Sequence, residues 1–251
     1  MKSLVLANRT FKEIVRDPLS VVFCVLFPVV LFLLFALIAN SFNVADLQND
    51  IPQFMVQNLC PAICIFAFSF VTLFSGMIIS KDRTTSFQLR LNISPVKSYH
   101  LVCGYTLPCL LITVVQTILV FILSFIFGLQ FNANVLLAFV LLIPSMFLFI
   151  AFGLMLGAVF SDKAVGGVAS IIINLAVLLS GMFFPLQNMS GAINTIAEIF
   201  PFRHGIIVVN SALTGNYGDI WQSLLILCAY TVVFFALAIF LFNKKMRNKN
   251  N

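Results

Sequence analysis

Six long runs of apolar residues follow one another along the chain, separated by shorter polar segments. They lie at about 19–39, 59–79, 101–127, 135–160, 164–184 and 220–242. An α-helix needs about 20 such residues to cross a hydrocarbon core about 30 Å thick. The runs are continuous, whereas the strands of a membrane barrel alternate over about 10 residues. The pattern therefore predicts an all-α polytopic membrane protein, with six transmembrane helices in a single domain over 1–251.

The composition supports this assignment and excludes other classes. Hydrophobic residues make up 61% of the 251 residues and charged residues 9%, whereas a soluble domain carries about 25% charged residues. A soluble fold of this size could not hide so much apolar surface. Soluble enzymes and nucleic-acid-binding domains are therefore excluded, and no nucleic-acid partner is expected. The six cysteines lie in or at the ends of the apolar runs, where small apolar packing is the expected role.

The basic residues predict the orientation of the chain. Thirteen of the 14 Lys and Arg residues fall on one side of the six runs, and Arg203 alone falls on the other. Cytoplasmic loops carry the excess of Lys and Arg in membrane proteins. Both termini are therefore predicted to be cytoplasmic.

The first 18 residues have a pattern of their own. Apolar residues such as Leu4, Phe11 and Val15 recur near helical spacing, with basic residues between them. This predicts an amphipathic helix at the cytoplasmic interface, ending at the corner Asp17-Pro18. A solvated tail is the alternative.

No motif for nucleotide hydrolysis or metal binding is present in the sequence. It contains no Gly-x-x-x-x-Gly-Lys-Ser/Thr phosphate loop and no His, Cys or carboxylate set at metal-ligand spacing. The runs also lack the acid or base that an ion-driven carrier usually keeps within its spans. The chain is therefore expected to be no enzyme, to hold no cofactor, and to draw energy from a partner.

The cytoplasmic loop 80–98 combines charges with apolar residues such as Phe87 and Leu89. A solvated loop needs no such residues, but a short helix that docks on another protein does. An interfacial helix anchored by Arg90 and Lys97 is the alternative.

The outer link over 186–218 is also too apolar for an open loop. Short helices dipping into the outer leaflet fit it best, with breaks at Pro185 and Pro201.

Small and polar residues within the runs suggest two further roles. Glycines predict close helix packing, at Gly153, Gly157, Gly166 and Gly167. Polar side chains inside spans face other helices or a pathway, and the candidates are Thr113, Gln116, Thr117 and Asn174. Packing and substrate contact both remain open for them.

Several segments together resemble the permease subunit of type-2 ABC exporters, a family that includes bacterial drug-resistance permeases. The resemblance rests on Arg16-Asp-Pro-Leu-Ser20, Phe27-Pro28, Asp82-Arg-Thr-Thr-Ser-Phe87, Leu89-Arg-Leu91, Ser94-Pro95, Gly104-Tyr105, Ser161-Asp-Lys-Ala-Val-Gly-Gly167, Leu179-Ser-Gly181, Phe184-Pro-Leu186 and Phe200-Pro201. Their order and their place in the predicted topology match the family over nearly the whole chain.

The resemblance implies a homodimer or heterodimer of permease subunits in a bacterial inner membrane, with separate ABC ATPase subunits that bind ATP and Mg. It implies that the loop couples to the ATPase through Asp82, Arg83, Phe87, Leu89, Arg90, Leu91, Ser94 and Pro95. It also implies an outer gate with Phe184, Pro185, Glu198, Pro201 and His204. The expected cargo is an amphipathic or hydrophobic drug, lipid or peptide. A lipid-linked glycan exporter, a non-transporting scaffold or sensor, and an ion-coupled carrier are the alternatives.

Overall fold

A computed structural model of the protein describes residues 2–42, 52–84, 98–181, 191–218 and 220–247. Within these ranges the chain is helical and has no strand. Six helical segments among the described residues are long and apolar enough to cross a membrane. The prediction of an all-α protein with six spans is therefore confirmed. The cytoplasmic placement of the termini stays a prediction.

The α-helices of the described residues are numbered here in chain order. They are α1 (Lys2–Arg16), α2 (Pro18–Val21), α3 (Phe27–Asn40), α4 (Val56–Thr84), α5 (Ser98–Ile126), α6 (Ala133–Leu141), α7 (Ile143–Val159), α8 (Asp162–Ser180), α9 (Gly191–Ile199), α10 (Pro201–Thr214) and α11 (Ile220–Arg247). Span 1 consists of α2, a π-helical turn at Val22–Leu26 and α3. Spans 2 and 3 are α4 and α5, span 4 combines α6 and α7, and spans 5 and 6 are α8 and α11. A short 3₁₀ turn at Pro52–Phe54 precedes span 2.

Span 2 is the centre of the bundle. In its most apolar stretch 89% of the residues are buried, against 22% in span 1, 28% in span 5 and 11% in span 6. Span 2 packs against spans 1, 3, 4 and 5 and against α10. Spans 1, 5 and 6 therefore expose most of their apolar surface, which is available to lipid or to another subunit.

Spans 2 and 4 approach each other closely because glycines line their contact. A Cβ atom added at Gly153 would lie 1.9 Å from Ser75 Oγ, and one added at Gly157 would lie 2.8 Å from Gly76 O. Nearby, the Thr72 hydroxyl donates a 2.7 Å hydrogen bond to the Phe149 carbonyl across the same contact. Small residues let membrane helices pack at this distance, since packing rather than the hydrophobic effect holds them together.

Helix α1 packs on the first turns of span 3. Its buried face includes Ala7 and Ile14, whereas Leu4 and Val15 are exposed. A Cβ atom at Gly104 of span 3 would lie 2.5 Å from Leu6 Cδ2, so this glycine makes room for α1. The helix is thus fixed to the bundle along one side. Its place at a membrane interface stays a prediction.

Between spans 5 and 6, the described residues form two helices, α9 and α10. Helix α9 leads into α10, which begins at Pro201 and ends before Gly215, a residue with φ of +77°. Glycine adopts this left-handed conformation without strain, and it is a common helix terminator. Helix α10 is largely buried against α4, α6 and α11.

Candidate functional site

The candidate coupling site begins at the end of span 2, where Asp82 is 4% exposed. The Arg9 guanidinium of α1 donates hydrogen bonds to both carboxylate oxygens, at 2.6 Å to Oδ1 and 3.0 Å to Oδ2. A bidentate pair of this kind fixes orientation as well as distance. A carboxylate can be buried at this position because a cation from another helix meets it.

A third helix joins the same carboxylate. The Tyr105 hydroxyl of span 3 donates a 2.7 Å hydrogen bond to Asp82 Oδ2. Arg9 also contacts Glu13 on its own helix, at 3.3 Å. The hydrogen bond with Asp82 raises the pKa of Arg9 above its ordinary value, and the nearby carboxylates add to this, so the guanidinium stays charged. Asp82 therefore connects span 2 to both α1 and span 3.

Arg83 makes a separate connection to span 4. Its guanidinium donates to the carbonyl oxygens of Gly157 and, at 3.3 Å, Phe160. These carbonyls lie at the C-terminal end of α7, where helix carbonyls lack partners and a cation is favourable. One turn earlier, the Ser80 hydroxyl lies 3.3 Å from Asp162 Oδ1 at the start of span 5. Consecutive residues of span 2 thus hold different neighbouring helices.

The remaining predicted coupling residues lie outside the described part of the chain. They are Phe87, Leu89, Arg90, Leu91, Ser94 and Pro95. The structure describes the two helix ends on either side of their loop. These are the end of span 2, which we call the root of the loop, and the start of span 3. A displacement of this root would move α1 and span 3 through Asp82 and span 4 through Arg83.

The four glycines predicted for helix packing occupy two different environments. Gly153 and Gly157 meet span 2 directly, as described above. At Gly166 and Gly167 an added Cβ would have no atom within 4 Å among the described residues. The second pair therefore has no partner within the described fold, and its packing role stays a prediction.

The candidate pathway residues also divide into two groups. Thr113, Gln116 and Thr117 are buried, at 0–2% exposure. The two threonine hydroxyls donate to carbonyls of their own helix, each at 2.8 Å, whereas the Gln116 amide donates to the Cys24 carbonyl of span 1. Asn174 is exposed on span 5 and donates to the Ser170 carbonyl at 2.8 Å. Of the four, only Asn174 faces outward from the described fold.

At the predicted outer gate, His204 joins three helices. Its Nε2 lies 2.8 Å from the Glu198 carbonyl oxygen of α9, and its Nδ1 lies 3.1 Å from Ser223 Oγ of span 6. Both contacts are satisfied by the neutral ring with the proton on Nε2. Arg203 adds a 3.5 Å contact to the Glu198 carboxylate. Pro201 is buried at the start of α10, and Phe184 and Pro185 lie outside the described residues.

Two residues of the candidate coupling site were not predicted as site residues. Arg9 and Tyr105 meet Asp82 from 73 and 23 positions away. The buried carboxylate at the end of an apolar helix was the available signal, because such a group requires a cation or a hydrogen-bond donor. Among the described residues, no group of three or more His, Cys, Asp or Glu side chains could hold a metal ion.

Comparison with protein families agrees with this architecture. The sequence model of the ABC-2 family transporter protein matches residues 46–240, which cover spans 2 to 5 and most of span 6. Comparison with individual curated proteins finds no significant match. The resemblance inferred from the sequence motifs is confirmed. The chain therefore belongs to the ABC-2 transporter family and is a membrane-spanning permease component of an ABC transporter, whose ATPase is a separate chain.

Proposed function

We propose that this permease exports an amphipathic or hydrophobic molecule, such as a drug, a lipid or a peptide, across the cytoplasmic membrane of a bacterium. Its separate ATPase binds ATP and Mg, and this chain holds no cofactor. The observation that carries the proposal is the anchored end of span 2, where Asp82 and Arg83 bind three neighbouring elements. A loop rooted there is suited to receive movement from a partner.

The loop is the proposed docking site for the ATPase. Its apolar residues would seat in the partner, and its basic residues would surround the contact. When the ATPase closes on ATP, the loop moves and Asp82 carries α1 and span 3 with it. Arg83 carries the end of span 4. Both links are charge-assisted hydrogen bonds, which are shorter and stronger than neutral ones.

A cavity of about 300 Å³ near the α1–span 1 corner supports an amphipathic cargo. Its lining combines apolar side chains with charged groups of both signs: Leu19, Phe74 and Ile78, and Glu13, Asp17, Lys81 and Asp162. Ligand sites are typically concave and mostly apolar, with a few polar groups that orient the ligand. An apolar body with a polar head would match this lining.

The exposed face of span 5 supports a second permease subunit, either a copy of this chain or a related one. Gly167, Ser170 and Asn174 lie on this face and are exposed. In a bilayer, polar side chains usually face another helix or a water-filled path. A second subunit against this face would supply one or the other, and the open space at Gly166 would allow close approach.

Transport in sealed proteoliposomes tests the proposal. The permease is reconstituted with its ATPase, and ATP is supplied on the ATPase side. Uptake of ethidium and of a fluorescent phospholipid is then followed. We expect ATP-dependent uptake of at least one probe, which is lost without the ATPase and survives an uncoupler when ATP is held constant.

Two other outcomes would contradict the proposal, and each indicates a different alternative. Uptake that persists without the ATPase, or that an uncoupler abolishes, would indicate an ion-coupled carrier. A stable complex that hydrolyses ATP but moves neither probe would favour the scaffold or lipid-linked glycan alternatives.

A further inference from the structure

Span 1 contains an irregular turn in its first half. At Val22–Leu26 the helix is π-helical, and the Phe27 N–H donates to the Val22 carbonyl five residues earlier. π-Helical turns are rare, and they occur mostly as short interruptions at functional sites. They are also one of the few established causes of a bend in a helix. Span 1 therefore consists of two segments that meet at this turn.

Pro28 follows the turn and leaves a carbonyl without its ordinary donor. A proline has no N–H, so the carbonyl four residues earlier, which is that of Cys24, loses its α-helical hydrogen bond. Cys24 is 2% exposed. A buried carbonyl in a membrane span must find a partner in a neighbouring helix, a side chain or an ordered water.

Gln116 of span 3 supplies that partner. Its Nε2 donates to the Cys24 carbonyl oxygen, and its side chain is buried. The orientation of the amide follows from this contact, because Oε1 in the same place would face another acceptor. The donor that Pro28 removes from span 1 is thus replaced by a side chain from span 3.

A packing role alone does not explain a glutamine at this position. Its Oε1 has no hydrogen-bond partner within the described part of the chain. A buried acceptor without a partner costs free energy, and a leucine of similar size would avoid this cost. Thr113 and Thr117, by contrast, are satisfied by carbonyls of their own helix. The bond to Cys24 is what distinguishes Gln116.

We infer that Gln116 is a positioning residue that holds a hinge in span 1 at the π-helical turn. The segment before the hinge is joined to α1, because Asp17 caps it by accepting from the Ser20 N–H at 3.2 Å. The segment after the hinge is held by buried residues such as Phe32 and Ala36. Movement of α1 would therefore swing the first segment while the second stays packed.

The transport role of this hinge rests on the proposed function. The clamp, by which we mean the hydrogen bond from Gln116 to the Cys24 carbonyl, does not. The segment from Pro18 to Leu26 is about 13 Å long at about 1.5 Å per residue. A change in bend of about 20°, the size of a distinct kink, would move its far end by about 4 Å. A displacement of this size is measurable between two spin labels.

The test uses two label pairs on exposed positions. The hinge pair joins Leu19, before the turn, to Phe240 of span 6. The reference pair joins Leu37, after the turn, to Leu225 of span 6. Cys103 and Cys228, the two exposed cysteines, are replaced by serine, and the four buried ones are kept. Labelled chain is diluted with an excess of unlabelled chain, so that only distances within one chain are measured.

In the purified chain, Gln116→Leu should shift the mean distance of the hinge pair, or broaden its distance distribution, by about 4 Å. The distribution of the reference pair should stay unchanged. Pro28→Ala restores the backbone donor, so it should narrow the hinge-pair distribution, and it should do so in the Gln116→Leu background too. Thr117→Val, the control on the same helix, should change neither pair. An unchanged hinge pair in both Gln116→Leu and Pro28→Ala would overturn the clamp.

In the complex with the ATPase, a non-hydrolysable ATP analogue should shift the hinge pair of the wild type. The double variant Pro28→Ala/Gln116→Leu should fold and bind the ATPase but show a smaller shift, because the restored backbone N–H at position 28 favours a regular helix there. A full shift in the double variant would contradict the hinge. If the wild type shows no shift while Gln116→Leu still broadens the hinge pair, the transport role of the hinge fails and the Gln116–Cys24 contact stands; failure of the proposed function itself is read from the uptake assay.

Discussion

Removing the Arg9 guanidinium tests whether α1 holds the end of span 2. Arg9→Gln takes away the hydrogen bonds of 2.6 and 3.0 Å to Asp82, a carboxylate that is 4% exposed. Removing one partner of a buried ion pair typically costs about 3–5 kcal/mol. The Arg9 side chain is 38% exposed and Tyr105 still donates to the carboxylate. We therefore expect a smaller loss of unfolding free energy, of about 2 kcal/mol.

A double-mutant cycle assigns this loss to the contact itself. Asp82→Asn removes the charge on the other side, and Arg9→Gln/Asp82→Asn removes both. Residues in direct contact show interaction free energies of about 0.5–3 kcal/mol. The double variant should therefore lose less unfolding free energy than the two single variants lose together, by at least about 1 kcal/mol. Glu13→Gln is the matched control. It removes only the i,i+4 pair with Arg9, which is worth about 0.5 kcal/mol or less.

The free energies come from denaturant titration of the purified chain in mixed micelles, followed by helical circular dichroism. Two results would contradict a contact between Arg9 and Asp82. Additive losses from Arg9→Gln and Asp82→Asn would show that the side chains do not interact. An equal loss from Glu13→Gln would show that Arg9 stabilises α1 alone.

Three further predictions follow from the described contacts and the loop sequence. Gly157→Ala should lower the unfolding free energy by about 2 kcal/mol or more, because its Cβ would meet the backbone of span 2 at 2.8 Å. Gly166→Ala is the control: there is open space around this glycine, so the change should be neutral or slightly stabilising in the same titration. Replacing Leu89 and Leu91 by aspartate should reduce co-purification of the ATPase without changing the unfolding of the chain, and unchanged co-purification would argue against the docking assignment. His204→Ala should lower the free energy of unfolding by about 1–3 kcal/mol, because it leaves a buried hydroxyl and a carbonyl without their partner. Proteolysis between spans 5 and 6 should become faster in this variant. Unchanged proteolysis would contradict the assigned contacts.

The spans could be predicted from the sequence because their signal is local. A run of apolar residues long enough to cross the bilayer needs no knowledge of its neighbours, and a chain with few charges has no soluble alternative. The amphipathic pattern of α1 is local in the same sense. The resemblance to the permease family also singled out Asp82 and Arg83, although not the helices that hold them.

The contacts of the coupling site could not be predicted, because they join residues far apart in sequence. Nothing in the chain says that Arg9 meets Asp82 across 73 positions. The same holds for the π-helical turn. Pro28 predicts a bend, but the donor that satisfies the Cys24 carbonyl lies 92 positions further on. Polarity marked Gln116 as a residue of interest, and only the fold shows what it contacts.

In the proposed mechanism, the end of span 2 passes movement from the ATPase to the permease. The most direct measurement follows ATP hydrolysis and ethidium uptake together in the reconstituted complex, for the wild type and for Asp82→Asn. We expect the variant to bind the ATPase and hydrolyse ATP but to move much less ethidium per ATP. Equal uptake per ATP in the variant and the wild type would contradict this mechanism.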